Sequence, residues 1–238
     1  MTTPRAGAPA PDARAVLAAA PIFEGLATEE LDALLAITAT RRLRAGEVLF
    51  RKGAEGSSLF GVLKGRLRIW ASGADGKELT FRYAEPGDLV GEMALLDPAP
   101  RSATVEAVPA SELLTLDRRE FMPFLIKHPR VAVNLAALMV RRVRALSDQL
   151  EDSLLLPLPA RVAKKLLSLA KTYGKRTPEG LLIDLELPQQ QLGDLVGATR
   201  ESMNKVLRGF SEQGLVRVEN RFILLLRPDE IEAIASNR

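Results

Sequence analysis

A helix-turn-helix pattern at residues 189–208 constrains the fold of this chain more than any other feature of the sequence. Gly193 stands where the two helices approach most closely, and Gly197 stands at the turn, where the backbone needs a positive φ angle. Few helical hairpins satisfy all of these requirements, so the pattern predicts a helix that enters the major groove of DNA. Apolar residues fill the packing positions of this pattern; they are Leu192, Val196, Ala198, Met203 and Val206.

The second helix of the pattern carries side chains that suit base recognition. Arg200 can pair bidentately with guanine O6 and N7, and Glu201 can accept a hydrogen bond from cytosine N4. Lys205, one turn later, can reach a guanine or a phosphate. Two hydroxyl residues of the first turn suit phosphate contact or helix capping, namely Thr199 and Ser202.

A second motif, well before the first, suits the binding of a cyclic phosphodiester. It runs from Gly91 and Glu92, over a predicted turn of helix, to Arg101 and Ser102 on the next strand. Guanidinium binds phosphate through two parallel N–H donors, a serine hydroxyl adds a donor, and an ionised glutamate can accept from a ribose 2′-hydroxyl. Free N–H groups at the helix start would point at the same anion. An isolated Glu–Arg pair is usually a surface ion pair, but the complete cassette indicates a ligand site.

Both motifs and their surroundings resemble the cyclic-AMP receptor protein / fumarate–nitrate regulator (Crp/Fnr) family of bacterial transcription factors. The resemblance extends from Leu17 to Leu226 and includes the segments 21–26 and 192–201. It implies a cyclic nucleotide ligand, a DNA half-site similar to TGTGA in an inverted pair, and RNA polymerase as a partner. The ligand contacts that it implies in the cassette are Gly91, Glu92, Met93, Ala94, Arg101, Ser102 and Ala103.

Leu146 and Arg82 depart from the cyclic-AMP-responsive members of that family, whereas Ser147 keeps a hydroxyl. Where those members place two polar residues that meet adenine, one from each subunit, this chain has Leu146 and Ser147, and leucine cannot hydrogen-bond a base. Arg82 stands where they place a small polar residue. Arginine there either favours guanine through O6 and N7 or points to solvent, and strand alternation leaves both readings open. Cyclic AMP is therefore the first ligand candidate, on family frequency, and cyclic GMP is the second.

The remaining sequence predicts an α+β fold, in which a cyclic-nucleotide-binding β-roll (jelly roll) is joined by a long dimerisation helix to a winged helix-turn-helix domain. Short β-rich runs bounded by Gly, Asp and Pro favour the roll. The predicted domains are a disordered tail at 1–11, the β-roll domain at 12–128, the dimerisation helix at 129–156 and the DNA-binding domain at 157–238. Strands are predicted at 48–50, 58–63, 66–70, 78–83, 102–108, 112–117, 181–185, 215–218 and 222–225, with a loop at 174–180.

The predicted long helix carries an apolar heptad seam. Its spacing of 4-3-4-3-4 predicts a two-stranded coiled coil, and hence a homodimer through residues 132–153; the alternative is a helix that packs on its own domain. Arg142 and the other charged residues of the helix are predicted to face solvent. Prolines then mark an interdomain hinge at Leu156–Pro159. The seam consists of Ala132, Ala136, Met139, Val143, Leu146 and Leu150.

Composition narrows the class of protein. The chain has no cysteine, which excludes disulfides and Cys-ligated iron–sulfur clusters, and its one histidine, His128, makes a metal or haem site a poor expectation. The net charge of +3 lies in residues 158–238, which hold 13 basic and 10 acidic residues, as DNA contact favours. With no apolar run of membrane-spanning length and no enzyme motif, we expect a cytoplasmic protein that is not an enzyme and does not contact a membrane.

These inferences predict a cyclic-nucleotide-responsive regulator that binds double-stranded DNA as a homodimer, on an inverted repeat resembling TGTGA-N6-TCACA. Ligand bound between the β-roll and the long helix would bridge the subunits through Ser147 and bias the hinge, which sets the spacing of the two recognition helices. A cyclic-GMP-responsive regulator of the same fold and a ligand-independent family member are the alternatives.

Overall fold

The computed structural model describes residues 13–74, 76–97 and 99–236. The predicted tail at 1–11 lies outside this range. The chain divides into two compact units, the first comprising residues up to 71 with 81–143, and the second comprising 72–80 with 144 onwards. The helices are α1 (Ala13–Ala19), α2 (Thr28–Ala36), α3 (Met93–Leu96), α4 (Arg118–Lys127), α5 (Pro129–Leu155), α6 (Leu158–Tyr173), α7 (Gln189–Val196), α8 (Arg200–Glu212) and α9 (Pro228–Ser236), with a 3₁₀ turn at Pro21–Phe23.

Two antiparallel four-stranded sheets lie in the first unit apart from residue 72 of β4 and residues 78–80 of β5, and their strand orders are β1-β8-β3-β6 and β2-β7-β4-β5. A third sheet, β11-β12-β10-β9, belongs to the second unit. The predicted α+β architecture with a β domain, a long helix and a helix-turn-helix domain with a wing is confirmed. The strands are β1 (Ala39–Leu43), β2 (Val48–Phe50), β3 (Ser58–Lys64), β4 (Leu67–Ser72), β5 (Glu78–Ala84), β6 (Leu89–Val90), β7 (Thr104–Ala107), β8 (Ser111–Asp117), β9 (Gly174–Thr177), β10 (Gly180–Ile183), β11 (Val216–Glu219) and β12 (Phe222–Leu225).

Successive side chains of the first sheet belong to two different apolar clusters, because side chains point to alternate faces along a strand. Val62 and Leu113 belong to the cluster that also contains Leu67 and Val105 of the second sheet. Leu114, next to Leu113, instead joins the helices α1, α2 and α4 and the start of α5 in a separate cluster. The ligand cassette lies in this unit, on the strand ends and on the connection that follows β6.

The second unit packs its helices and its small sheet around residues that are fully buried, among them Leu166, Ile183, Leu192 and Met203. The prediction of a loop at 174–180 was wrong, because residues 174–177 form β9 and pair antiparallel with β10. β9 has no apolar side chain that could have indicated a strand; it exists because the backbone groups of β10 offer it hydrogen bonds. The helix α9 and the strands β1 and β6 were also not predicted.

Candidate ligand site and DNA interface

Arg101 lies in the segment before β7, and not on the strand as predicted, and its backbone is hydrogen-bonded on both sides. Its N–H donates to the Ala54 carbonyl at 2.9 Å, and the Gly53 N–H donates to the Arg101 carbonyl at 2.8 Å. The side chain then turns inward, with the residue only 6% exposed. Its guanidinium donates to the Gly91 carbonyl at 3.1 Å and to the Ser58 carbonyl at 2.9 Å.

The Arg101 guanidinium also lies over the Phe50 ring, with 4.2 Å between Cζ and the ring centroid. Among the described residues no carboxylate comes within ion-pair distance of it, and its Nε has no hydrogen-bond partner there. Burial lowers the pKa of Arg101, whereas the charge of Glu92 acts in the opposite direction. The site therefore contains a buried cation with an unused donor, which is the chemistry that an anionic ligand satisfies.

Two glycines make room for this arginine. A Cβ on Gly91 would stand 2.5 Å from Arg101 Nη1, and Gly91 has a φ angle of +82°, which also favours glycine. A Cβ on Gly56 would stand 2.4 Å from Arg101 Nε. The sequence pattern indicated Gly91 but not Gly56, because Gly56 lacks the positive φ angle typical of turns and is needed only for a close approach in space.

Glu92 is nearly buried, with its side chain 7% exposed, and it forms an ion pair with Arg142 of α5. A second nitrogen of Arg142 donates to the Leu89 carbonyl at 2.9 Å. The prediction that Arg142 faces solvent was therefore wrong. No sequence pattern indicated this pair, because Arg142 is one of several charged residues on α5 and its partner lies 50 residues earlier in the chain.

Arg82 points neither to solvent nor into open space. It donates to the Leu89 carbonyl at 2.9 Å and to the Tyr83 carbonyl at 3.2 Å, and its guanidinium lies 3.5 Å from the Asp88 carboxylate. Burial lowers the pKa of Arg82, and the charge of Arg142 lowers it further, while Asp88 and Glu92 act in the opposite direction. Arg82 and Arg142 thus share one carbonyl acceptor.

The ionised side chains around Arg101 include one more cation than anions. Arg82 is paired with Asp88, Arg142 is paired with Glu92, and Arg101 has no carboxylate partner in the described part of the chain. The local formal charge is therefore one positive charge in excess. A cyclic phosphodiester carries one negative charge, so it would neutralise the cluster.

The other predicted ligand contacts of the cassette lie beside Arg101 and Glu92. Ser102 is exposed, and its hydroxyl lies 3.5 Å from the Met93 sulfur. Ala94 and Ala103 are buried. Leu146 and Ser147 are exposed on the part of α5 that clusters with the second unit, so their predicted contact with a ligand stays a prediction.

The helix-turn-helix has the local geometry that its sequence predicts. α7 ends at Gly197, which has a φ angle of +67°. A Cβ on Gly193 would stand 2.8 Å from the Ala198 carbonyl, so the close approach is to the turn itself. Thr199 caps α8, because its side-chain oxygen accepts from the Ser202 N–H at 3.2 Å.

One face of α8 is buried and the opposite face is open. Met203, Leu207 and Phe210 form the buried face. The open face is a shallow concave surface lined by Arg200, Glu201, Asn204, Lys205 and Arg208. Arg200, Glu201 and Lys205 were predicted from the sequence to contact bases or phosphate. Asn204 and Arg208 were not predicted, and the predicted Ser202 does not line this surface.

Two family models match the chain in the regions just described. A cyclic nucleotide-binding domain matches residues 40–128, and a Crp-like helix-turn-helix domain matches residues 160–234. The CRP-like cAMP-activated global transcriptional regulator of Mycobacterium tuberculosis is 30% identical over 210 residues, which are 88% of this chain and 94% of that protein. This chain belongs to the Crp/Fnr family of transcription regulators. That family is not enzymatic, as predicted.

Other known proteins are also similar to this Crp/Fnr regulator in sequence or in fold. The cyclic AMP receptor protein of Thermus thermophilus is 36% identical over 83% of this chain and 88% of that protein. The crystal structure of the Thermus thermophilus catabolite activator protein is 34% identical, with a TM-score of 0.53, and the match covers 91% of this chain and 98% of that one. The c-di-GMP responsive regulator CLP of Xanthomonas campestris shares the fold at 23% identity, with a TM-score of 0.77 over 84% of this chain and all of that one.

The long helix of this Crp/Fnr regulator presents an exposed apolar stripe whose register differs from the predicted seam. Ala132 and Met139 pack against the core of the first unit, so their assignment to the seam was wrong. The large apolar side chains that remain open are each between 52% and 74% exposed. They are Val133, Val140, Val143, Leu146, Leu150, Leu154 and Leu155, and we call the first six the α5 stripe.

The two arginines of the β11–β12 hairpin, which is the wing of the second unit, form ion pairs. Arg217 lies 2.6 Å from the Glu179 carboxylate, and Arg221 lies 2.8 Å from the Glu186 carboxylate. A phosphate contact by either arginine would therefore compete with an existing partner. Within the described residues, no helix is long and apolar enough to span a membrane.

Proposed function

We propose that this protein is a homodimeric transcription regulator whose DNA binding responds to a cyclic nucleotide held by the cassette of the first unit. The observation that carries the proposal is the state of Arg101. It is a buried guanidinium with an unused Nε donor, and in the described part of the chain it has no carboxylate partner. One phosphodiester placed against it would satisfy both the donor and the excess charge.

The rest of the nucleotide is assigned by the chemistry of the neighbouring groups. Ser102 is exposed beside Arg101 and adds a hydroxyl donor for the phosphate. Glu92, which is already fixed by Arg142, has a carboxylate that can accept from a ribose 2′-hydroxyl. Arg142 joins this carboxylate to α5, so occupation of the site can change how the long helix is held.

Cyclic AMP is the first candidate for the ligand and cyclic GMP the second. The curated relatives from Mycobacterium tuberculosis and Thermus thermophilus are named for cyclic AMP, and this supports the first candidate. Arg82 supports the second, since a guanidinium can donate to guanine O6 and N7. To do so it must release the Leu89 carbonyl, which Arg142 can continue to occupy.

The α5 stripe is the proposed dimer contact. Aliphatic side chains at heptad spacing bury one another when two such helices associate. A parallel pair of helices would bring the two copies of Leu146 and Ser147 close to the helix pair axis, where family members place the residues that meet the base. The family resemblance adds RNA polymerase as an expected partner.

Control of DNA binding is proposed to act through the short link between α5 and α6. Only Leu156 and Pro157 separate the two helices. Lys164 of α6 lies 2.6 Å from the Asp152 carboxylate near the end of α5. Ligand would bias this link toward a geometry in which two recognition helices lie about 34 Å apart, the spacing of an inverted repeat resembling TGTGA-N6-TCACA.

Isothermal titration calorimetry with cyclic AMP and cyclic GMP tests the proposed ligand. Because Leu146 cannot hydrogen-bond adenine, we expect cyclic GMP to bind within roughly tenfold to a hundredfold of cyclic AMP, or better. Arg82→Ala should weaken cyclic GMP selectively, and Leu146→Thr should strengthen cyclic AMP. A preference for cyclic AMP above about a thousandfold that Arg82→Ala leaves untouched would reject a role for Arg82.

DNA binding in the absence of nucleotide separates the proposal from a ligand-independent regulator. We expect tight binding to an inverted-repeat duplex only when nucleotide is present, measured by fluorescence anisotropy at fixed salt. Binding of equal affinity with and without both nucleotides would identify a ligand-independent family member.

A further inference from the structure

We propose that Asn204 reads an adenine in the DNA site, next to the base pair contacted by Arg200. The inference rests on the proposed placement of α8 in the major groove. Asn204 is not among the base-reading residues predicted from the sequence.

The position of Asn204 on α8 is central to the open face. At 3.6 residues per turn, Asn204 lies one turn after Arg200 and between Arg200 and Glu201 around the helix axis. All three line the same concave surface, while Met203 directly before Asn204 is fully buried on the other side. A duplex that contacts both Arg200 and Glu201 therefore also faces Asn204.

The chemistry of Asn204 differs from that of every other residue of this surface. Arg200, Lys205 and Arg208 are cations, which serve guanine and phosphate equally well, and Glu201 only accepts. Asn204 is the one neutral side chain of this surface, and its amide has both a donor and an acceptor. That pair matches adenine, whose N7 accepts and whose N6 donates in the major groove.

The amide is also available for this contact. Asn204 Oδ1 is buried and has no hydrogen-bond partner within the described residues. A rotation of the side chain toward DNA therefore breaks no hydrogen bond of that oxygen and gives it the partner that it lacks. Asparagine is also a weak helix former, so its presence in the second turn of α8 is not explained by helix stability.

The expected position of the adenine follows from the helix rise. Asn204 is four residues beyond Arg200, which is about 6 Å along the helix axis. Base pairs are spaced by about 3.4 Å, so the adenine should lie within about two base pairs of the guanine read by Arg200, on either strand.

Selection of binding sites from randomised duplexes, with nucleotide present, provides the test. Wild type and Asn204→Ala are each selected, and the preference for adenine near that guanine should be present in the first and absent in the second. On the selected duplex, replacing the adenine by another base should weaken wild type by between about 5-fold and about 150-fold, and Asn204→Ala should lose this discrimination.

Base analogues locate the contact at single atoms. Replacing that adenine by 7-deazaadenine removes only N7, and by purine removes only the N6 amino group. Each should weaken wild-type binding by about 3- to 10-fold and should leave Asn204→Ala unaffected. Asn204→Asp should change the preferred base from adenine to cytosine, because a carboxylate accepts from cytosine N4.

Glu212→Ala, at the exposed far end of α8, is the matched control and should retain the wild-type preference. If Asn204→Ala weakens all sequences equally, or if 7-deazaadenine has the same effect on variant and wild type, Asn204 does not read adenine. Failure of the broader proposal looks different, since wild type would then select no common sequence.

Discussion

Arg101 offers the sharpest test of the ligand site, because its removal should affect ligand binding far more than folding. In the structure its guanidinium donates to two carbonyls, of Gly91 and Ser58, and lies over Phe50. Arg101→Ala leaves two carbonyls without these donors, at about 1–3 kcal/mol each, but it also removes a buried cation that has no carboxylate partner in the described part of the chain. We therefore expect the free energy of unfolding without ligand to fall by only about 1–3 kcal/mol.

Ligand affinity should fall by much more. Removal of one member of a buried, hydrogen-bonded charge pair costs about 2–5 kcal/mol, which corresponds to a loss of affinity between about 30-fold and more than 1000-fold. Arg101→Lys should lie between wild type and Arg101→Ala, since lysine keeps the charge but cannot donate from a planar fork.

The two quantities are measured separately on the same samples. Calorimetry gives the affinity for cyclic AMP and cyclic GMP, and urea unfolding gives the stability, followed by the fluorescence of Trp70, the one tryptophan of the chain. Arg51→Ala is the matched control, because it removes the same charge from an exposed position of the same unit and should leave the affinity unchanged. A folded Arg101→Ala that binds both nucleotides within about threefold of wild type would refute the assignment of Arg101 to the phosphate.

Three further outcomes are expected. Arg142→Gln should weaken cyclic nucleotide binding by roughly 5- to 30-fold in calorimetry, because Glu92 then offsets the charge of Arg101; an unchanged affinity would show that the Glu92 pair is only structural. Arg200→Ala should cost about 1–3 kcal/mol at one guanine of each half-site in competition binding, and an equal loss on all sequences would make Arg200 a phosphate contact. The hydrogen bond from the Ala27 N–H lowers the pKa of Glu30 below its usual 4.5, so this carboxylate stabilises the fold above that pH and ceases to do so as the pH falls through the lowered pKa. Glu30→Ala should therefore be less stable than wild type in urea unfolding at neutral pH, and the difference should disappear at strongly acidic pH; a difference that persists there would assign it to packing.

The helix-turn-helix could be predicted from the sequence because its requirements are local. A positive φ angle at Gly197 and a close approach at Gly193 are both satisfied within a short stretch of chain. The same is true of the start of the ligand cassette, where Gly91 ends β6 and turns the chain into α3 with a positive φ angle. Patterns of this kind depend on neighbours in sequence, and the structure agrees with them.

Residues that act through distant parts of the chain could not be predicted in this way. Gly56 matters only because the Arg101 side chain, from a segment 45 residues later in the chain, lies beside it. Arg142 is one of several charged residues on α5, and only the packing of α5 against the strand ends shows that it pairs with Glu92. β9 likewise exists because β10 lies beside it.

The register of the α5 stripe shows most clearly what could not be predicted from the sequence. The helix carries two interleaved apolar rows at heptad spacing, one containing Ala132 and Met139 and the other containing Val133 and Val140. The sequence by itself determined that a long amphipathic helix forms here and that its apolar side chains must be buried against other apolar surfaces. Which row is covered was decided only by tertiary structure, because both rows have the same period and only the core of the first unit selects one of them.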